Sequence, residues 1–119
     1  MKYAQMGERG PEVSTMGFGA WAIGGRHWGP TDDDVSKRAL HEALNNGVTL
    51  LDSADTYGFG HSEELINEIL KERNCRDEVV IASKGGNDFY NPSKDSDEGY
   101  GAIVPNADKD YIIYACEQS

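Results

Sequence analysis

Two short hydrophobic runs, Val48-Thr49-Leu50-Leu51 and Val79-Val80-Ile81-Ala82, each follow a stretch of helical period, and each ends in polar residues. Neither run is left with a polar face, the pattern of a strand covered on both sides of a parallel sheet. Ahead of the first run, Val35, Ala39, Leu40, Ala43 and Leu44 share one helical face. Asp32, Asp33 and Asp34 crowd its start, and Asn46-Gly47 stops it. Ahead of the second run, residues Ser62 to Lys71 place Leu65, Ile66, Ile69 and Leu70 at helical spacing, with Glu63 and Glu64 in the first turn. This alternation implies a parallel sheet joined by right-handed crossovers and covered by helices.

The flanks add to this frame. Residues 2–15, turning at Gly-Glu-Arg-Gly-Pro, predict a small β-hairpin that caps the fold. Met16 to Trp21 predicts a short glycine-rich strand, followed by an irregular stretch through Pro30. Residues 85–107 show neither period and read as one loop. Asp108 is placed to cap a helix through Tyr111-Ile112-Ile113-Tyr114-Ala115-Cys116. The chain of 119 residues supplies about three strand-helix units, whereas a closed eight-fold barrel takes about 250 residues. The periodicity leaves an open sheet and part of a barrel as alternatives. Because it stops at Ser119 inside a helical pattern, the chain reads as the front portion of a longer protein.

Composition narrows the partners. A net charge of -10 and a pI near 4.6 argue against nucleic acid and anionic membrane surfaces, which need concentrated Lys and Arg. Cys75 and Cys116 have neither CxxC nor His spacing, so they predict two reduced thiols rather than a disulfide framework or a zinc site. No signal-peptide core is visible, nor any run of about 18 apolar residues that a membrane span needs. The expected location is cytoplasmic.

Chemistry gathers at the ends of the two runs. Asp52 closes the first, Lys84 follows the second, and Tyr57 lies in the loop between them. A lysine directly after a buried strand puts its ammonium at the rim, where a carboxylate on the neighbouring strand end can neutralise it. Alone, that is a structural ion pair. A phenol beside it changes the reading, since a nearby ammonium favours phenolate and makes the phenol a better acid near neutral pH. The trio then suits protonation of a carbonyl oxygen while a hydride arrives from elsewhere, with Asp52 holding Lys84 charged and oriented.

Other patterns carry less. Gly17 to Ala22 spells GxGxxA, but Gly24, Gly25 and Pro30 forbid the helix that a dinucleotide fingerprint needs at its second glycine. Gly19 instead lets something flat approach the backbone, and Trp21 either walls a pocket or fills the core. Asp95 to Gly99 hints at a calcium loop, yet Tyr100 stands where glycine is needed and Asn106 where glutamate is needed. The acids at Asp32 to Asp34 are accounted for by capping and the helix dipole. His27, His41 and His61 show no ligand spacing, so no metal is assigned.

Read together, Gly17-Phe-Gly-Ala-Trp-Ala-Ile-Gly-Gly, Leu51-Asp-Ser-Ala-Asp-Thr-Tyr-Gly-Phe-Gly-His-Ser-Glu-Glu-Leu and Val80-Ile-Ala-Ser-Lys-Gly-Gly resemble the aldo-keto reductase family. The resemblance covers essentially the whole chain and corresponds to that family's amino-terminal third. It implies an α/β fold, a partial TIM (β/α)8 barrel, with residues 1–119 giving the amino-terminal hairpin and about three βα units of the barrel domain. It implies NADPH-dependent reduction of aldehydes and ketones, with a small-molecule carbonyl substrate. Asp52, Tyr57 and Lys84 fall on the family's catalytic positions, with Tyr57 as general acid and Lys84 and Asp52 tuning it. Gly19, Ala20, Trp21 and Asp52 fall on the nicotinamide side of the cofactor pocket, and Trp21 and Tyr57 on the substrate side. The family's fourth-strand histidine and its adenosine-phosphate-binding residues have no counterpart in these 119 positions, so this chain alone is expected to be incomplete. The alternative from another class is a non-catalytic assembly module that self-associates through an open sheet edge.

Overall fold

The central sheet has three parallel strands, β3 (Phe18–Gly19), β4 (Leu50–Asp52) and β5 (Val80–Ala82), in that spatial order. The computed structural model describes residues 1–25, 28–90 and 103–119. Helix α1 (Asp33–Asn45) connects β3 to β4, and helix α2 (His61–Arg73) connects β4 to β5. The two helices pack on each other, joined at their surfaces by Lys37 to Glu68 at 2.6 Å and by Arg73 to Asn45 at 3.0 Å. Between helices and sheet lies one apolar cluster. Leu40 from α1, Leu65, Ile66, Ile69 and Leu70 from α2, and Leu51, Val79, Ala20 and Ile23 form its buried centre.

Each helix starts where its local chemistry dictates. The Asp32 carboxylate accepts from the amide of Val35 at 3.1 Å, and Asp33 and Asp34 follow in the first turn of α1. Helix α2 carries Glu63 and Glu64 at its start and Lys71 and Arg73 at its end, complementing its dipole at both termini.

The inward face of α1 differs from the sequence expectation. Val35 and Ala39 are exposed, whereas Ser36 and Leu40 are buried. At about 100° per residue, Ser36 and Leu40 lie within about 40° of each other at the centre of the buried stripe, and Val35 lies about 140° from Leu40, well outside it. Ser36 was invisible to a hydrophobic count, yet it is buried without an orphaned hydroxyl because its Oγ donates to the Asp32 carbonyl at 3.0 Å. The two hydrophobic runs also fall short of complete burial. Leu51 and Val79 are buried and Leu50 is half-buried, while Val80, Ile81 and Ala82 are half-buried on β5, which has no strand beyond it among the described residues.

The amino-terminal hairpin pairs β1 (Tyr3–Gln5) with β2 (Glu12–Ser14) in antiparallel register. It closes the amino end of β4: the Ser14 amide donates to Thr49 Oγ1 at 2.8 Å, and the Thr49 amide donates back to Ser14 Oγ at 2.9 Å. The loop expected over residues 85–107 contains a short ladder, in which β6 (Asn87–Asp88) pairs antiparallel with β7 (Val104–Pro105). Two-residue ladders are too short to register as a period, which is why the sequence pattern passed over them. The acidic cluster Lys94 to Glu98 and His27 lie outside the described residues. Helix α3 (Lys109–Gln118) follows Asp108 and buries Ala115, with the Tyr111 hydroxyl donating to the Asn87 carbonyl at 2.7 Å.

Candidate active site

Strand register sets the geometry. Gly19, Asp52 and Ala82 align in one row at the carboxyl ends of β3, β4 and β5, the edge where parallel sheets place their ligands. Two residues past Ala82, Lys84 turns its ammonium across this row. Its Nζ donates to Asp52 Oδ1 at 2.6 Å and to the Ser53 carbonyl at 2.6 Å. The same Nζ lies 5.2 Å from the centre of the Tyr57 ring. The structure therefore brings Asp52, Tyr57 and Lys84 together on one rim.

The electrostatics of Lys84 follow from these neighbours. Partial burial acts to lower its pKa, but the hydrogen bond and charge of Asp52 outweigh that effect, and Tyr57 adds smaller contributions of both kinds. The net shift is upward, so Lys84 stays an ammonium throughout the physiological range. Both members of the pair are about half exposed, at 49% and 52%, so the contact orients charge more than it stabilises the fold. Tyr90 also lies near the sheet end. Burial, reinforced by the charge of Asp55, pushes the Tyr90 phenol up to about 12, which unsuits it as an acid at neutral pH.

Tyr57 is also held through its backbone. Its amide donates to the Ala54 carbonyl at 3.1 Å, and its carbonyl accepts from the Ser62 amide at 3.2 Å. Ser62, fully buried in the first turn of α2, also donates through Oγ to the Ala20 carbonyl at 2.6 Å. One residue thereby links helix α2, the Tyr57 loop and the end of β3. A second link is made by glycine. A Cβ on Gly24 would lie 2.6 Å from the Tyr57 carbonyl carbon, and one on Gly58 would lie 2.4 Å from the Gly24 carbonyl oxygen. Only two bare backbones can approach this closely. The contact seats Trp21 against Tyr57, their rings stacked at 5.9 Å and 17°.

The remaining candidates separate by position. Trp21 is 48% exposed, so it walls the rim rather than filling the core. A Cβ on Gly19 would meet nothing within 4 Å, so there is open space at the strand end. Ala20 is fully buried; its amide is engaged by the Asp52 carbonyl and its carbonyl by Ser62. It supports the strand end from below and offers a bound molecule no free group. A cavity of about 560 Å³ lies elsewhere, between α2 and the end of α3, and includes none of the trio. A smaller cavity of about 270 Å³ is lined by Lys84, between the end of β5 and α3, and does not include Asp52 or Tyr57.

Sequence reasoning missed several supporting groups. Gly24, Gly58 and Ser62 were readable only as loop glycines and an early helix residue. His61, which the sequence placed beside the start of α2, puts Nε2 2.8 Å from Asp33 Oδ1 and joins the starts of the two helices. Asp55 is 2% exposed, its amide donates to the Lys84 carbonyl at 3.1 Å, and its Oδ2 finds no hydrogen-bond partner among the described residues. Burial raises its pKa above the usual carboxylate value, with the charge of Glu63 acting in the same direction.

Comparison with known proteins decides the family. The family model described as Aldo/keto reductase family matches residues 15–112. This chain belongs to the aldo/keto reductase family. An aldo-keto reductase of Bacillus subtilis, YhdN, is 44% identical over 91 residues, covering 76% of this chain and 28% of that protein. The holo form of aldo-keto reductase AKR11C1 from Bacillus halodurans superposes with a TM-score of 0.79 at 31% identity, covering 98% of this chain and 34% of that one. An aldo-keto reductase from Klebsiella pneumoniae, solved in complex with NADPH, superposes at 0.57 with 30% identity, covering 71% and 28%. The aldo/keto reductase chain described here spans about a third or less of these relatives' length, and its sheet is part of a (β/α)8 barrel rather than a closed one. Among the described residues, no helix is long and apolar enough to cross a membrane.

Proposed function

We propose that residues 1–119 supply the proton-donating rim of an NADPH-dependent carbonyl reductase acting on aldehydes and ketones. The observation that carries this reading is the convergence of Lys84 on Asp52, Ser53 and Tyr57. A nicotinamide held at this edge would supply the hydride that becomes the new C–H bond. Tyr57 donates its hydroxyl proton to the carbonyl oxygen, and the Lys84 ammonium stabilises the negative charge left on the phenol. Asp52 fixes that ammonium in place. Gly19, Trp21 and Asp52 would hold the nicotinamide ring, with Ala20 supporting the strand end beneath. The family relation supports the reading: the B. halodurans relative is described as a holo form and the K. pneumoniae one as an NADPH complex.

Tyr57→Phe, assayed in the protein as expressed from its gene by NADPH oxidation with a small aldehyde, is expected to lower kcat by about 10²- to 10⁴-fold, the usual contribution of a positioned acid. Retained activity would remove Tyr57 from the mechanism.

A second reading is carried by a different observation. Both β3 and β5 end the central sheet among the described residues, leaving backbone donors and acceptors along two edges. On this reading, the chain associates with a second copy through an edge. Light scattering of the purified chain tests it: a defined, cooperatively unfolding oligomer supports edge pairing, and a monomer at micromolar concentration excludes it.

A further inference from the structure

Tyr57 is followed by a run of unusual backbone. Gly58, Phe59 and Gly60 all take positive φ, at 63°, 55° and 95°. Glycine enters that left-handed region freely, whereas a bulky side chain there is an outlier. Asn74, the other non-glycine residue with positive φ among the described residues, ends α2, where asparagine is an ordinary cap. Phe59 holds no such position, so what its ring contacts must offset the strain of its backbone. The ring centroid lies 4.9 Å from that of Phe89, inclined at 43°, and Phe89 is 1% exposed. Phe89 in turn stacks on Tyr90 at 4.2 Å, and Tyr90 meets Tyr114 of α3 edge-on at 5.2 Å. On its other side, the same loop lies against the Gly24 main chain at Gly58. Two grips therefore hold the segment after Tyr57, and one of them is aromatic.

We infer that Phe59 is a positioning residue for Tyr57, its ring on Phe89 holding in place the left-handed turn that keeps the phenol beside Lys84, a role that rests on the proton donation proposed for that phenol. Only Gly58 stands between the two residues, and glycine adds no preference of its own because it takes either sign of φ about equally. The helix that follows adds none either, since Gly60 caps α2 without a side-chain hydrogen bond. With the ring removed, no side chain in residues 58–60 favours the left-handed run over other turns. Tyr57 then pivots. A reacting group misplaced by about 1 Å can cost about 10²-fold in rate, so the loss of the ring is read in turnover.

Three variants of the protein as expressed from its gene test this, each made in a Trp28→Phe background that leaves Trp21, stacked on Tyr57, as the sole tryptophan of these 119 residues. Phe59→Gly and Phe59→Asn both remove the ring while accepting the left-handed backbone, so if one fails to fold by circular dichroism the other carries the test. Phe59→Tyr keeps the ring, and its added hydroxyl has space because residue 59 lines the cavity of about 560 Å³. In the ringless variants, kcat for propanal with NADPH is expected to fall about 10- to 100-fold while KM changes by less than about threefold, with Trp21 emission altered as the phenol shifts. Phe59→Tyr should stay within about threefold of the parent in kcat and keep its emission. An unaltered kcat or an unaltered emission in a folded ringless variant overturns the proposal, as does an equal loss of kcat in Phe59→Tyr. If the parent reduces propanal and the ringless variants match it, the positioning role fails and the carbonyl chemistry stands. If the parent reduces no carbonyl, the chemistry fails instead, and Trp21 emission alone decides whether Phe59 holds Tyr57 in place.

Discussion

Helices α1 and α2 are both 13 residues long, begin with paired acids and sit beside each other on one sheet, yet they do different work. Helix α2 buries Ser62, Leu65, Ile66, Ile69 and Leu70, a stripe from its first turn to Leu70, and its first turn grips the Tyr57 loop and the end of β3. Helix α1 buries Ser36 and Leu40, and leaves Val35 half exposed at 50%. The lesson is that two helices with similar sequence signatures can divide the tasks of a fold. One carries the core and the site together, and the other covers a flank.

The sharpest way to break this comparison is to hollow out α2. Ile69 is fully buried against the sheet, so Ile69→Ala is expected to cost about 2–5 kcal/mol of unfolding free energy in urea titration. A loss under 1 kcal/mol would show that α2 is not the principal support. Of intermediate size is Ser62→Ala, which leaves the buried Ala20 carbonyl without its side-chain donor. The expected cost is about 1–2 kcal/mol, accompanied by changed tryptophan emission as Trp21 shifts. A stability loss with unaltered emission would separate α2 from the positioning of the rim. Smallest is Val35→Lys on α1, expected to alter stability by no more than about 0.5 kcal/mol because the site is open to solvent. A larger loss would mean that the flank of α1 is covered.

Much of this division was legible in the sequence and some was not, for identifiable reasons. The 3.6-residue spacing of Leu65, Ile66, Ile69 and Leu70 both located α2 and oriented it, since all four turned inward. The same reasoning located α1 but rotated it, because a count of apolar residues cannot anticipate a serine that satisfies its own hydroxyl and enters the core. The rim followed a similar rule. Asp52 and Lys84 could be placed because strand ends are marked by where hydrophobic runs stop. What holds Tyr57 and Trp21 face to face could not, since it is a contact between the backbones at Gly24 and Gly58, and glycines without side chains leave no pattern to read.

That contact also sets how this rim can be altered. A methyl group at either position would collide with the opposite main chain, so neither loop can be decorated, shortened or swapped without rebuilding the other. For anyone grafting a new specificity here, the segment carrying the indole and the segment carrying the phenol form a single cassette, to be exchanged whole or left alone.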